Sequence, residues 1–373
     1  MATGGLFSWL DPFCGLLTRK ATSFGAWDVP GRLGMQQLRA LTWNVAAINN
    51  NPFEYWLTHP DPDYAVLMES VEKFIESPGD MDVCVKEVFS PEMYAALKAK
   101  MDALEWEGDD GCSLFWEEMC ERKIVQGFLK DEALGSKRLM SMPDRFTNTI
   151  DIVGGGAACR PTVISSFEGD MSTTAKWFDL WLAFMFDQEV EVPGKKGAPA
   201  ESKAPCALLS KIPRAKYPAL TEEEEGCSRR LQTVCLAVFD AVLVHMLNTL
   251  SPDGKWLELK ASILAELTKK KEAKQISMLE TVYADVDVLF LQEVKTHAYR
   301  STLPVAFASR YSVHGPAKPS KADQNSCILL ASSRFDAKTV VDLSAQAMDA
   351  VPKGGAAISD GDLMNLLERL GLG

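Results

Sequence analysis

The stretch LQTVCLAVFDAVLVHMLNTL, Leu231 to Leu250, constrains this chain more than any other. A run this long and this apolar must be enclosed on every side, by lipid or by protein. Asp240 and His245 lie inside it, and an ionisable side chain in hydrocarbon is costly. The expectation is a buried helix at the centre of a helical unit, with no integral membrane insertion.

The rest of the chain can supply such a core. Its 373 residues are enough for two or more units, and 47% of them are hydrophobic. The net charge of −12 argues against a protein that coats nucleic acid through general basicity, although a local basic cleft or a metal ion could still meet phosphate. Nine Cys form no CxxC, and the four His (His59, His245, His297 and His314) are not at zinc-ligand spacing with them. Scattered thiols of this kind fit the reducing interior of a cell, cytoplasmic or nuclear. The opening MATGGLFSWLDPFCGLLTRK lacks the basic start and unbroken apolar stretch of a secretory signal. An organelle address stays open.

Residues 1–37 read as an extension without periodicity. LRALTWNVAAI reads as a strand ending in the turn formers Asn49 to Pro52. Helical patterns follow. DYAVLMESVEKFIESPGD carries Val66, Leu67, Val71, Phe74 and Ile75 at helical spacing. SPEMYAALKAKMDALEW has Ser90 as a cap, Pro91 at the first helical position and Met93, Leu97, Met101 and Leu104 as its stripe. Residues 187–220, rich in Pro, Lys, Gly and Ala, predict an exposed flexible loop. TEEEEGC starts another helix, its acidic run suited to a helix N-terminus. A further amphipathic helix carries Leu259, Ile263 and Leu267 on one face. DVDVLFLQEV, YSVHG, SCILLAS and AKTVVDLS then read as four strands.

Two polar residues stand out at the ends of apolar strands. Glu293 closes Val288-Leu289-Phe290-Leu291, and a carboxylate there is a hard-oxygen ligand for Mg2+, which takes only one or two protein carboxylates and keeps water or substrate oxygens. Asn44 ends Leu41-Thr42-Trp43, and its amide could orient a phosphate without adding charge. The plainer alternative for both is a polar residue where a strand meets solvent. DIVGGGAACRPT lacks GK[ST] and GxGxxG and reads as a turn; GxSxG and HExxH do not occur. Trp177 and Trp181, at helical spacing, read as core.

Together these pieces resemble the endonuclease/exonuclease/phosphatase family, the Mg2+-dependent phosphodiesterases and phosphatases related to pancreatic deoxyribonuclease and the abasic-site endonucleases. The resemblance rests on Trp43-Asn44-Val45, on Val286-Asp287-Val288-Leu289 leading to Leu291-Gln292-Glu293, and on DQNSCILLASSRF, Asp323 to Phe335. It implies an α/β sandwich of two facing sheets with helices outside. It also implies Glu293 as metal-binding carboxylate, Asn44 as organiser of metal and phosphate, Asn325 at the rim, and Mg2+ or Mn2+ as cofactor. The substrate would be a phosphate ester, whether of nucleic acid, nucleotide or phospholipid headgroup.

Two departures shape the expectation. Residues 53–283 separate the first two motifs and read as a mostly helical insertion, so that 38–52 and 284–373 form one discontinuous, partial catalytic domain. After Phe335 there is no D-x-N and no His, so the family's second catalytic half is missing; Asp360 and Asp362 in ISDGDL are not replacements. The chain is therefore expected to be truncated relative to intact members and weakly active or inactive, with a marginal, half-exposed sandwich. The alternative is a non-catalytic protein whose helical insertion binds a protein partner.

Overall fold

The computed structural model describes residues 38–46, 51–54, 56–194, 199–320 and 323–342. The N-terminal extension 1–37, the turn formers Asn49 and Asn50, and ISDGDL all lie outside these residues. Helices and small sheets mix in an α/β chain. The described residues divide into a larger helical unit, 51–272, and a smaller unit of 38–46 and 273–342.

The helical unit comprises α1 (Pro62–Glu76), α2 (Val85–Val88), α3 (Pro91–Ala103), α4 (Asp109–Met119), α5 (Glu132–Lys137), α6 (Ser141–Thr147), α7 (Thr174–Leu182), α8 (Glu222–Leu250) and α9 (Lys255–Leu264). It also holds two hairpins, β2 (Thr149–Asp151) with β3 (Ala157–Cys159) and β4 (Val190–Val192) with β5 (Glu201–Lys203). Start signals act locally. Asp61 caps α1 and Ser90 caps α3, each ahead of a proline in the first turn. Thr221 and Glu224 form a reciprocal capping box at the head of α8, where Thr221 Oγ1 accepts from the Glu224 amide (3.1 Å) and Glu224 Oε2 accepts from the Thr221 amide (2.9 Å).

Every residue of α8 from Arg230 to Val244 is buried. The helix is long and apolar enough to cross a membrane, and 78% of its most apolar window is buried inside the protein. Helices α1, α2, α3, α4, α6 and α7 all pack on it, so its apolar surface is covered on all sides rather than along one stripe. Gly108 lets α4 come close: a Cβ there would collide with Cys227 of α8. The eight described cysteines are free thiols, and burial pushes Cys112 up to about 12, which keeps it an unreactive core thiol.

Asp240 sits in that core with its charge answered. It accepts from Arg160 Nε (2.7 Å) and Nη2 (3.2 Å), Thr162 Oγ1 (2.6 Å) and Trp181 Nε1 (2.9 Å). Arg160, fully buried, also donates to Thr147 Oγ1 (2.7 Å) and Asp144 Oδ1 (2.6 Å). Burial pushes the Asp240 carboxyl above its ordinary value against the pull of Arg160. Nearby, Lys260 Nζ donates to the carbonyls of Thr162 and Phe167, each at 2.8 Å, and burial pulls it down to about 7. Trp177 and Trp181 are core residues, as their spacing predicts.

Three local expectations change. Val66 is 62% exposed and Leu104, the residue after α3, is 47% exposed; the stripes of α1 and α3 run instead through Tyr64 and Met68, and through Tyr94. The segment 187–220 is more ordered than its composition predicts. It carries the β4–β5 hairpin and a short helical turn, Pro205–Leu208, and it buries Cys206, Leu209, Ile212 and Leu220. Finally, AKTVVDLS does not give a strand where it is described: Ala337–Thr339 is a single 3-10 turn.

The smaller unit is a four-stranded sheet in the order β1-β6-β8-β7, built from β1 (Ala40–Asn44), β6 (Val288–Val294), β7 (Tyr311–His314) and β8 (Asn325–Ala331). Strand β1 runs parallel to β6, while β8 is antiparallel to both of its neighbours. Period-2 alternation sorts the side chains. One face presents Leu41, Trp43, Leu289, Leu291, Cys327 and Leu329 to α10 (Lys271–Thr281), through Leu279, and to the segment leading into α11 (Leu303–Ala306), through Tyr299, Leu303 and Phe307. The other face leaves Phe290 (41%) and Ile328 (37%) exposed. Gln275 Nε2 donates to the Val45 carbonyl (2.8 Å), so the chain leaves and re-enters this unit at adjoining points. That juxtaposition is the geometric condition for a long insertion.

Candidate functional site

The parallel pairing places the two polar strand ends side by side. Asn44 is in register with Gln292, and the Val45 amide donates to the Gln292 carbonyl (3.0 Å). Glu293 follows at the next position. Because β8 runs the other way, its lead-in residues Asp323 and Gln324 arrive at the same end. Carboxyl ends of parallel strands are where open α/β sheets collect ligand groups.

This end is conformationally unusual. Ala46, Glu293 and Asp323 all adopt left-handed backbone, with φ of 45°, 55° and 51°. Glu293 occupies the irregularity in the β6–β8 register between Leu291 and Val294, a bulge that re-aims its side chain. Non-glycine residues in this region cost on the order of 1–3 kcal/mol each.

The three residues singled out from sequence have different local roles. Asn44 is exposed, and its Oδ1 accepts from the Ala46 amide (2.9 Å), which turns the chain out of β1. Glu293 is half-buried, with its Oε2 at 3.5 Å from Gln324 Nε2. Asn325 is buried. Its Oδ1 accepts from the Ser320 amide (2.8 Å), and its Nδ2 donates to the Val294 carbonyl (3.0 Å) and Thr296 Oγ1 (3.3 Å). Its amide is engaged in tying the loop before β8 to the end of β6.

Sequence reading missed Asp323 and Thr296. Asp323 Oδ1 accepts from the Thr296 amide (2.7 Å) and also from the Thr296 hydroxyl. The spacing D-x-N in DQNSC, a side-chain-capped turn before a strand, was the available signal. Gln292 faces the open side, where its Nε2 donates to the Phe290 carbonyl (3.0 Å) and Thr42 Oγ1 (3.2 Å). Asp287 and Arg334, both within the quoted motifs, meet at 3.3 Å and brace the opposite end of the sheet.

Mg2+ needs oxygen donors. Here Glu293 and Asp323 supply the carboxylates, Asp323 with its Oδ1 engaged by Thr296, and Asn44 Oδ1 is a neutral neighbour along the strand pair. Among the described residues no group of three or more His, Cys, Asp and Glu gathers to hold a metal ion. A cation at this end would therefore rely on water and substrate phosphate for its remaining ligands, an arrangement Mg2+ accepts. His314 faces the same open side, but β7 lies two strands from β6, about 10 Å away at normal strand spacing.

The fold and this end of the sheet define an α/β chain whose small unit carries a strained polar strand-end cluster. Residues 82–261 match a family model described as "Domain of unknown function (DUF8234)". The match lies wholly within the helical unit and includes neither Asn44 nor Glu293 nor Asn325. No curated protein and no solved structure matches the chain.

Proposed function

We propose that the smaller unit is one sheet of an endonuclease/exonuclease/phosphatase-type sandwich and binds a divalent cation and a phosphate ester at the joined ends of β1 and β6, with weak or no turnover. The observation that carries this reading is Glu293, a left-handed non-glycine residue on a bulge beside Asn44, where two further left-handed residues gather. Backbone strain concentrated at one strand end is the signature of a functional constraint.

In this reading Glu293 holds the cation, and Asn44 offers its amide to the cation or to a phosphate oxygen. Mg2+ or Mn2+, when bound, neutralises phosphate charge and polarises the phosphoryl oxygen. Asn325 positions the loop that brings Gln324 to Glu293. Among the described residues no His is hydrogen-bonded to an Asp carboxylate at this end to activate water, and in this reading the residues here bind and orient more than they catalyse.

The test is Mn2+ binding to the full chain, followed by electron paramagnetic resonance, alongside hydrolysis of a generic phosphodiester with Mg2+. Glu293→Gln is expected to weaken Mn2+ binding at least about tenfold. Equal affinity in both proteins would sink the site assignment. Robust turnover abolished by Glu293→Gln would sink the claim of weak activity alone.

A second reading makes the helical unit the working part, as an interaction module. It is favoured by the domain match, which falls on that unit alone. Under it, Glu293→Gln leaves the recovered protein partner unchanged.

A further inference from the structure

A cavity of about 490 Å³ opens in the helical unit where the turn after α3 meets residues 207–211 and the first turns of α8, within the size range of small-molecule sites. Leu104 and Leu209 give it an apolar wall. Leu104, expected in the core of α3 and instead 47% exposed, thus borders a space of its own. At the opposite side stand Trp106 and Arg229. The Arg229 Cζ lies 4.2 Å from the Trp106 ring centroid, so the guanidinium is over the aromatic face.

Arg229 is half-buried, and among the described residues no carboxylate pairs with it and no acceptor meets its guanidinium. Its Nε is sealed from water without a partner, which leaves the two Nη groups as the ones open to the cavity. Burial pulls Arg229 below its ordinary value. The Cys206 thiol, the one titratable group that opposes this, is itself pushed up to about 11 and is neutral at pH 7. The guanidinium is therefore partly desolvated with no anion to offset it.

The other charges are answered in place. Lys211 pairs with Glu107 (2.5 Å), and Glu105 is exposed and keeps its water. Arg230, next along α8, is buried and donates to the Trp106 carbonyl through Nε (2.8 Å) and Nη2, and to Asp102 Oδ1 (2.6 Å). Those bonds hold Trp106, and Trp106 holds the plane of the Arg229 guanidinium. Gln232 Nε2 donates to the Ser210 carbonyl (2.9 Å) and fixes the facing segment; its Oε1 lacks a donor but is sealed from the cavity. The formal charges of Arg229, Lys211, Glu105 and Glu107 cancel, so selectivity rests on placement. The unanswered cation is half-buried, and the unpaired carboxylate is in solvent.

We propose that this cavity binds a small organic monocarboxylate: its two oxygens accept end-on from the Nη groups of Arg229, and its apolar body lies against Leu104 and Leu209. A carboxylate matches the planar fork with two coplanar oxygens. The fork is held by Trp106 before the ligand arrives, so little ordering remains to be done. Glu105 and Glu107 on the wall disfavour a second negative charge. The site is independent of the strand-end cluster of the smaller unit.

The test is isothermal titration of the full chain at neutral pH with four probes of similar body: 3-phenylpropionate, 3-phenylpropionamide, 3-phenylpropylammonium and the dianion benzylmalonate. The monocarboxylate is expected to bind about tenfold tighter than its amide, the ammonium weakest, and benzylmalonate below 3-phenylpropionate. Arg229→Gln should bring 3-phenylpropionate and its amide to within about twofold of each other. Gly226→Phe leaves Arg229 and Trp106 in place. Gly226 lines the cavity on α8, and a Cβ there meets no atom within 4 Å, so the ring can fill the space without displacing the fold. It should abolish binding of every probe while the helical circular dichroism stays unchanged, and it carries the test if Arg229→Gln does not fold. Failure of every probe to bind the wild type, a preference for the ammonium or for benzylmalonate, an undiminished carboxylate preference in folded Arg229→Gln, or undiminished binding by folded Gly226→Phe would each overturn the proposal.

Discussion

Asp240→Ala is expected to be the most damaging single change in the helical unit. It removes the partner of a guanidinium that is fully buried, and breaking a buried pair in this way costs about 3–5 kcal/mol, because the surviving charge stays desolvated. It also strips the acceptor from the Trp181 indole N–H and the Thr162 hydroxyl, and each buried orphan carries a penalty of about 1–3 kcal/mol. These contributions overlap, since Arg160 keeps Asp144 and Thr147 as acceptors, so a loss of about 4 kcal/mol is expected. Urea unfolding followed by tryptophan emission reads this directly, because Trp181 bonds to Asp240 itself. Replacing both charges, Arg160→Met with Asp240→Leu, should recover the part of the loss that comes from the unanswered guanidinium, while the Trp181 and Thr162 donors stay without their acceptor. A loss below about 1 kcal/mol, or a double variant no better than the single one, would refute the claim that Asp240 is present to answer Arg160.

Two further outcomes follow from the same structure. Lys260, held at about 7 in the fold against an ordinary 10.5, binds a proton more readily in the unfolded chain. Its burial therefore disfavours folding most below pH 7, and stability should rise between pH 7 and 10.5; at 1.36 kcal/mol per pH unit the rise is on the order of 4–5 kcal/mol. Lys260→Met should flatten that part of the profile in parallel denaturation series, and an unchanged slope would contradict it. Asn325→Ala should cost about 2 kcal/mol in the same unfolding experiment, because it frees the Ser320 amide and the Val294 carbonyl together; a loss under about 0.5 kcal/mol would show that the loop before β8 does not depend on it.

The open face of the small sheet follows from its strand alternation. Thr42, Phe290, Ile328 and His314 form one row across all four strands, on the side away from Leu289 and Leu329. Among the described residues Phe290 and Ile328 in that row are exposed, at 41% and 37%.

The sequence by itself determined the elements whose causes are local. Thr221 with Glu224, Ser90 with Pro91 and Asp61 with Pro62 set helix starts through bonds reaching three residues or fewer, and short apolar runs marked β6 and β8. The length and apolarity of Leu231 to Leu250 likewise required enclosure wherever the helix lay. Only tertiary structure could decide what answers Asp240, because Arg160 lies 80 positions away and no periodicity connects the two. The same holds for the strand-end cluster. Asn44 and Glu293 were visible as residues, but their pairing needed a parallel register across the helical unit, and the left-handed turn at Glu293 needed the bulge against β8. Asn325, read as a rim residue from its position in a motif, has its amide engaged by Ser320, Val294 and Thr296. Hydrogen bonds of that reach are chosen when the sheet closes, and the amino-acid order near each residue does not record them.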